Sequence, residues 1–147
     1  MKNTIYFDMD GTIANFYGVD GWLNDLMTGN SRPYRVAAPL IQMVVFSTLL
    51  NTLQRKGYKI GVVSWLAKNS TDKFDREVIN AKKEWLNTHL NNVTFDEIHI
   101  VKYGTPKSTV VNNPHGILFD DEEQNRKEWL GTAYDVNNII DTLRAIA

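Results

Sequence analysis

The sequence contains no cysteine, which excludes a disulfide framework, a cysteine zinc site, an iron–sulfur cluster and a thiol nucleophile. Proline and glycine are also scarce, with 4 and 9 residues respectively, so the chain is neither collagen-like nor of low complexity. Neither sign of charge is in excess, because 16 basic residues accompany 17 acidic ones, and this balance argues against general affinity for nucleic acid or an anionic membrane. Any catalytic chemistry must therefore use oxygen and nitrogen groups.

Long apolar runs are absent as well. The most apolar stretch, residues 36–50, is interrupted by Gln42 and Ser47 and is shorter than the roughly 20 residues that a membrane-spanning helix needs. No apolar segment followed by a small-residue cleavage site opens the chain, so we predict no signal peptide. We expect a soluble, cytoplasmic protein whose residues 1–147 form a single domain.

Hydrophobic patterning predicts strands and helices that alternate along the chain. Short apolar runs predict strands over 4–7, 60–64, 97–101, 116–119 and 133–136. Helical spacing predicts helices over 40–56, 71–90, 122–130 and 137–146, with a short helix starting at Lys107. This alternation predicts a three-layer α/β fold around a parallel, Rossmann-like sheet of about five strands.

Residues 15–39 interrupt this alternation. Their hydrophobic periodicity is poor, and glycine and proline punctuate the segment, so we predict a small loop-rich insertion holding about one helical turn. Such an insertion could lie over a site and form a minimal cap.

Polar residues gather where the predicted strands end. In parallel sheets, ligands bind beyond the carboxyl ends of the strands, at the point where the strand order reverses. Six candidate site residues fall at or near such ends: Asp8, Asp10, Ser64, Lys107, Asp120 and Asp121. We therefore expect these side chains to share one location.

Four carboxylates at one sheet edge would repel one another unless a cation lay among them. Without cysteine or a nearby histidine the ligands are all oxygen, which favours Mg²⁺. Asp8 and Asp10 project from one short loop, so one could attack a phosphorus atom while the other moves a proton. Lys107 would neutralise charge on the nucleophile and on the transferred phosphoryl group.

The remaining expected contacts to phosphate come from Ser64 Oγ and from backbone N–H groups. The N–H groups of Met9, Asp10 and Gly11 could hold the phosphoryl oxygens, and Gly11 would let that backbone approach closely. The metal, the lysine and these dipoles would make the site locally positive in a chain of net charge −1.

In their order along the chain, these residues resemble the four motifs of the haloacid dehalogenase (HAD) superfamily. The motifs are residues 8–12 (DMDGT), an apolar strand ending in Ser64, Lys107, and residues 117–121 (ILFDD). Each motif alone is weak, but four in order at predicted strand ends or helix starts are a specific signal. Residues 107–111 ahead of 118–121 also resemble the 5′(3′)-deoxyribonucleotidase branch. The resemblance covers nearly the whole chain.

The resemblance implies a Mg²⁺-dependent phosphatase. Asp8 would be the nucleophile that forms an aspartyl-phosphate and a Mg²⁺ ligand, and Asp10 the general acid/base that also offers its backbone carbonyl to the metal. Thr12 would support the loop within the phosphate-binding set of Met9, Gly11, Thr12, Ser64 and Lys107. Asp121 would contact Mg²⁺ directly, with Asp120 alongside or through water. Asn125 stands where many relatives have Asp and could hydrogen-bond a metal-bound water.

Some residues also have simpler interpretations. Lys102 competes with Lys107 for the third motif, and we favour Lys107 because it should open a helix aimed at the strand edge. Ser64 could be merely a polar residue that ends a strand, and Asp120 or Asp121 could cap the following helix.

Aromatic and charged residues outside the motifs leave further alternatives. Three aromatic side chains could stack on a nucleobase, although packing in the core or lid is the commoner role: Trp22, Tyr34 and Trp65. Arg32 and Arg35 could grip a second anionic group or lie on a solvated loop. Two charged pairs are predicted to form solvated helix faces: Lys82 with Lys83, and Glu122 with Glu123. The three histidines receive no role.

The expected substrate is a small phosphorylated metabolite, of which a nucleoside monophosphate is one. Two other functions stay open, a receiver-like phosphoacceptor and a non-catalytic HAD-like binding protein. Receivers place their acidic pair after strand one and the phosphoacceptor later, whereas the D-x-D-G-T motif comes first here. A lid this small could also act with a partner subunit, and a homodimer is one such arrangement.

Overall fold

The computed structural model describes residues 3–147 and builds them around one five-stranded sheet. All neighbouring strands are parallel, in the order β3-β2-β1-β4-β5. The strands are β1 (Thr4–Phe7), β2 (Lys59–Trp65), β3 (Glu97–Val101), β4 (Ile117–Phe119) and β5 (Thr132–Tyr134). The predicted fold class, a three-layer α/β fold with a parallel sheet, is confirmed.

The strand order reverses at β1, which lies between β2 and β4. Phe7, the last residue of β1, pairs with Val62 on one side and with Phe119 on the other. Chain connections therefore leave this point in opposite directions, and the carboxyl ends of three strands surround a crevice there.

Six α-helices of residues 3–147 surround the sheet. The α-helices are α1 (Trp22–Met27), α2 (Arg32–Val36), α3 (Met43–Arg55), α4 (Asp72–His89), α5 (Glu123–Glu128) and α6 (Ile139–Ile146). Short 3-10 helices occur at Phe16–Gly18, Lys107–Thr109 and Val136–Asn138. Among residues 3–147, none of the helices combines the length and apolar content that crossing a membrane requires.

Side-chain caps set the starts of the two long helices. The helix predicted over 40–56 begins later, at Met43, because Gln42 Oε1 accepts the Val45 N–H. The hydroxyl of Thr71 accepts the Phe74 N–H in the same way, so α4 begins where the sequence predicts. The short helix predicted from Lys107 is a 3-10 helix.

The larger core lies between the sheet and helices α3, α4 and α6. Its centre is Phe7 of β1, which stacks on Phe119 at a centroid distance of 5.2 Å and meets Phe46 of α3 edge-on at 5.1 Å. Trp85 and Leu86 of α4 complete this cluster. Parallel strands buried on both faces need continuous apolar runs, which explains the sequences of β1 and β4.

The insertion, residues 15–39, contains more helix than the sequence predicts. It holds one 3-10 helix and helices α1 and α2, because its glycines and prolines mark the ends of short helices rather than a continuous loop. Pro33 lies in the first turn of α2, where a missing N–H costs nothing. The Asn15 N–H donates to the Ala38 carbonyl at 2.7 Å and joins the two ends of the insertion.

Helix α4 anchors the insertion to the rest of the fold. Tyr34 packs in a cluster with Phe74, Val78 and Ala81 of α4. The indole N–H of Trp85 donates to the backbone carbonyl of residue 37 at 2.8 Å, and an exposed ion pair joins residues 35 and 84. These contacts fix the insertion above the carboxyl end of the sheet.

The opposite face of the sheet is covered by the segment of residues 102–116 and by Trp129. The hydroxyl of Tyr6 donates to Glu97 Oε2 at 2.7 Å and accepts the Asn113 N–H at 3.0 Å. Glu97 Oε1 accepts the Asn112 N–H at 3.0 Å. Burial works to raise the pKa of Glu97, but these hydrogen bonds hold that pKa below its ordinary value. This network ties the covering segment to β1 and β3.

Tyr6→Phe tests the contribution of this network to stability. The substitution removes the donor to Glu97 Oε2, so we expect the free energy of unfolding to fall by about 1–3 kcal/mol. Urea denaturation followed by circular dichroism measures this loss. Tyr134→Phe is the matched control, because the Tyr134 side chain is partly exposed at the edge strand. Equal midpoints for the two variants would contradict the prediction.

Candidate active site

The structure brings the predicted strand-end residues to one place. Asp8 directly follows β1, and Asp120 and Asp121 directly follow β4, its neighbour in the sheet. Ser64 is the penultimate residue of β2, and Lys107 is the first residue of the 3-10 helix Lys107–Thr109. The parallel arrangement therefore places residues far apart in sequence around one crevice.

Lys107 is the electrostatic centre of this group. Its ammonium Nζ lies 3.0 Å from Asp8 Oδ1 and 2.6 Å from Asp120 Oδ2, and the side chain is 2% exposed. Burial works to lower the pKa of Lys107, but the two carboxylates raise it above its ordinary value. Lys102, the alternative for this position, is exposed and lies near Asp72 and Asp75 instead.

Asp8 is held by groups on both of its oxygens. The hydroxyl of Thr12 donates to Oδ2 at 3.1 Å, while Lys107 donates to Oδ1. Burial works to raise the pKa of Asp8, but the positive charge of Lys107 and the hydrogen bonds hold that pKa below its ordinary value. Asp8 is therefore an ionised carboxylate with a fixed orientation.

Asp120 and Asp121 differ in their surroundings. Asp120 is fully buried, and its oxygens also accept the Glu122 N–H at 2.9 Å and the Asn125 side-chain amide at 3.2 Å. Asp121 faces the cavity, where the hydroxyl of Thr12 lies 3.3 Å from its Oδ1. Burial and then the charge of Asp8 raise the pKa of Asp120 to about 6 and that of Asp121 to about 8.

The same carboxylates fit a divalent cation. Oxygens of Asp8, Asp120 and Asp121 lie within 4.8 Å of one another, which suits a hard cation with oxygen ligands. Four carboxyl groups accompany two ammonium groups here, so a divalent cation would offset the excess of acidic groups. Asn125 Oδ1 is buried without a hydrogen-bond partner among residues 3–147 and could accept from a metal-bound water.

Backbone geometry in the first loop favours glycine and changes one expectation. Gly11 has φ +80°, and a Cβ there would collide with the Asp121 carboxylate. We predicted that the Gly11 N–H would bind a phosphoryl oxygen. It instead donates to the Ala14 carbonyl at 2.9 Å, so that prediction is wrong. The N–H groups of Met9 and Asp10 stay the predicted phosphate donors.

Lys82 is a site residue that the sequence interpretation missed. The prediction of a solvated Lys82 is wrong, because its side chain is 1% exposed and its Nζ lies 3.1 Å from Asp10 Oδ2. The neighbouring Lys83 is exposed as predicted. Lys82 follows Val78 by four positions and precedes Trp85 by three, so the helical spacing already placed it on the buried face of α4. Burial raises the pKa of Asp10, against the lowering influence of Lys82.

A cavity of about 260 Å³ opens over these residues. Asp8, Asp10, Ser64, Lys107 and Asp121 lie in its polar wall. The insertion, the end of β2 and the segment after β3 supply aromatic walls, formed by Phe16, Tyr17, Trp22, Tyr34, Trp65 and Tyr103. The three aromatic residues singled out in the sequence therefore all border the cavity.

Arg32 and Arg35 do not line this cavity. Arg32 pairs with Asp25 at 2.8 Å, and Arg35 pairs with Glu84 at 3.0 Å, both on exposed surface. The solvated alternative for these two arginines agrees with the structure, and their structural role is to brace the insertion.

Compared by sequence, the chain matches no protein-family model and no curated protein. Compared by structure, 8 chains of known structure match it. One is D,D-heptose 1,7-bisphosphate phosphatase from Burkholderia thailandensis, which shares 12% sequence identity at a TM-score of 0.56. The match covers 99% of this chain and 98% of that chain. At this identity the likeness shows a common fold, and it spans the whole described α/β domain.

Proposed function

We propose that the protein is a phosphomonoester hydrolase in which Asp8 forms an aspartyl-phosphate. The observation that carries the proposal is the position of Asp8, which borders the cavity and is held by Lys107 at 3.0 Å beside the Asp120–Asp121 pair. A nucleophile, a fixed cation and a second acid at a cavity are the groups that phosphoryl transfer requires. The common fold with a bisphosphate phosphatase supports the proposal.

In the first half-reaction, an Asp8 carboxylate oxygen attacks phosphorus and forms a P–O bond. The ester P–O bond breaks, and the protonated carboxyl of Asp10 gives its proton to the departing alkoxide. Lys107 stabilises the negative charge on the transferred group, and Ser64 binds a phosphoryl oxygen.

In the second half-reaction, water attacks the phosphorus of the aspartyl-phosphate. The Asp10 carboxylate takes a proton from that water, and the bond between phosphorus and the Asp8 oxygen breaks. Inorganic phosphate and the free Asp8 carboxylate result, and Asp10 is again protonated for the next cycle. Thr12 keeps the Asp8 carboxylate in one orientation throughout, through its 3.1 Å hydrogen bond.

We propose Mg²⁺ as the cofactor, held by Asp8, Asp121 and the backbone carbonyl of Asp10. Asp120 is already hydrogen-bonded to Lys107, Asn125 and the Glu122 N–H. It would therefore lie beside the metal ion or bind it through a water molecule. Mg²⁺ supplies neutralisation of charge on the transferred phosphoryl oxygens.

We propose further that residues 15–39 act as a small cap and that the substrate's leaving group is a nucleoside. Trp22 and Tyr34 of the insertion and Trp65 after it give the cavity flat apolar walls. Aromatic faces of this kind stack on nucleobases. A nucleoside monophosphate would place its phosphate at Asp8 and its base between these walls.

Asp8→Asn tests the nucleophile. We expect phosphate release to fall by about a thousandfold or more, because an amide cannot form the aspartyl-phosphate. The assay is phosphate release from nucleotides, sugar phosphates and phosphopeptides with Mg²⁺ and with EDTA. Asp141→Asn, at an exposed site on α6, is the matched control. Retained turnover in pure, folded Asp8→Asn would overturn the assignment, and a stable phosphoenzyme without turnover in the wild type would favour the receiver-like function.

Asp121→Asn tests the metal ligand. We expect the Mg²⁺ concentration for half-maximal activity, and for half-maximal thermal stabilisation, to rise by at least about tenfold. Glu123→Gln is the control, since it removes an exposed acid two positions further on. Mg²⁺ titrations of Asp121→Asn that superimpose on those of the wild type would point to other ligands.

Trp22→Ala tests the nucleoside proposal. We expect KM for a nucleoside monophosphate to rise by about tenfold, because a stacking surface worth about 1–3 kcal/mol is lost. KM for ribose 5-phosphate, which has the sugar phosphate without the base, should change little. Leu23→Ala controls for damage to α1, since Leu23 is the exposed neighbour. An equal rise for both substrates would contradict a base-binding role.

A further inference from the structure

Lys82 is a buried cation for which the proposed reaction has no direct use. It projects from the middle of α4, while Asp10 and Ser64 line the cavity in front of it and Lys82 itself does not. A lysine that cannot reach the ligand acts on the reaction through its neighbours. The inference drawn below rests on the proposed phosphatase function.

All three hydrogens of the Lys82 ammonium group have acceptors. Nζ donates to Ser64 Oγ at 2.7 Å and to the Trp65 carbonyl at 2.7 Å, and it lies 3.1 Å from Asp10 Oδ2. Because Nζ donates to Ser64 Oγ, the hydroxyl hydrogen of Ser64 points away from Lys82. Ser64 lines the cavity, so that hydrogen is available to an oxygen bound there.

An aromatic ring of the insertion also fixes the position of the ammonium group. Nζ lies 5.3 Å from the ring centroid of Tyr34, which belongs to the insertion and packs on α4. Helix α4, the insertion and the end of β2 therefore hold one charge in place. A buried charge is stable only where its partners are well placed. The ammonium group contacts Asp10 and Ser64, so removing it would let these two side chains move.

We propose that Lys82 is a positioning residue for phosphoryl transfer. It holds the Asp10 carboxyl where it meets the leaving-group oxygen and turns the Ser64 hydroxyl toward the phosphoryl oxygens. The two buried lysines therefore have different roles. Lys107 orients the nucleophile Asp8, whereas Lys82 orients the acid Asp10 and the phosphate-binding hydroxyl of Ser64.

Substrates whose leaving groups differ in their need for a proton distinguish a positioning role of Lys82 from a merely structural one. Phenyl phosphate needs a proton on its departing oxygen, whereas 2,4-dinitrophenyl phosphate releases a stable anion without one. Loss of a correctly placed acid therefore slows the first ester far more than the second. Weaker phosphate binding or a loosened fold would slow both esters alike.

The experiment measures kcat/KM for both esters in the wild type, Lys82→Met and Lys83→Met at saturating Mg²⁺. We expect Lys82→Met to lower kcat/KM for phenyl phosphate by at least about tenfold more than for 2,4-dinitrophenyl phosphate. Lys83→Met, at the exposed neighbouring position, should change neither value. In an Asp10→Asn background, Lys82→Met should add no further difference between the esters, because both substitutions remove the same proton transfer.

Equal losses for the two esters, or no loss, would overturn the positioning role of Lys82 while leaving the proposed function intact. Absence of wild-type turnover with both esters and with every nucleotide, sugar phosphate and phosphopeptide of the panel above would instead overturn the proposed function and this inference with it. Thermal unfolding checks that Lys82→Met is folded. If it is not, Lys82→Arg supplies the same comparison, since it keeps the charge but displaces the donor atoms.

Discussion

The ammonium group of Lys107 lies between the carboxylates that follow β1 and β4, and the site depends on that placement. Asp8 and Asp120 are both buried. Without the ammonium group between them, two buried carboxylates would repel each other and take up a proton. Removing one partner of a buried ion pair typically costs about 3–5 kcal/mol. The interaction therefore joins two neighbouring strands, orients Asp8 and keeps it ionised.

Much of this arrangement was predictable because it follows from local patterns and one rule of sheet topology. Acidic residues follow the apolar runs of β1 and β4, and parallel strands bring such ends together. The choice of Lys107 over Lys102 also followed from its expected helix start. The β3 strand, over residues 97–101, matches the prediction because its flanking turn residues and apolar content agree.

Other features depend on contacts that a single sequence does not display. Lys82 was predicted on a solvated face because it stands beside Lys83, whereas its spacing from Val78 and Trp85 was the better guide. The Gly11 N–H donates to the carbonyl of Ala14 three positions later, a local turn geometry that hydrophobic patterning does not show. The helices of residues 15–39 are stabilised by packing in the cluster that Phe16 and Tyr34 form with α4 rather than by their own periodicity, so the pattern alone underestimated them.

The segment of residues 102–116 carries a consequence for the stability of the site. Its Lys107 end completes the electrostatics of the crevice, while its Asn112 and Asn113 end is hydrogen-bonded to Glu97 of β3 and Tyr6 of β1. Local opening of this one segment would expose the back of the sheet and withdraw the cation from Asp8 in the same event. Amide hydrogen exchange across it therefore reports on the integrity of a centre that none of those amides touches.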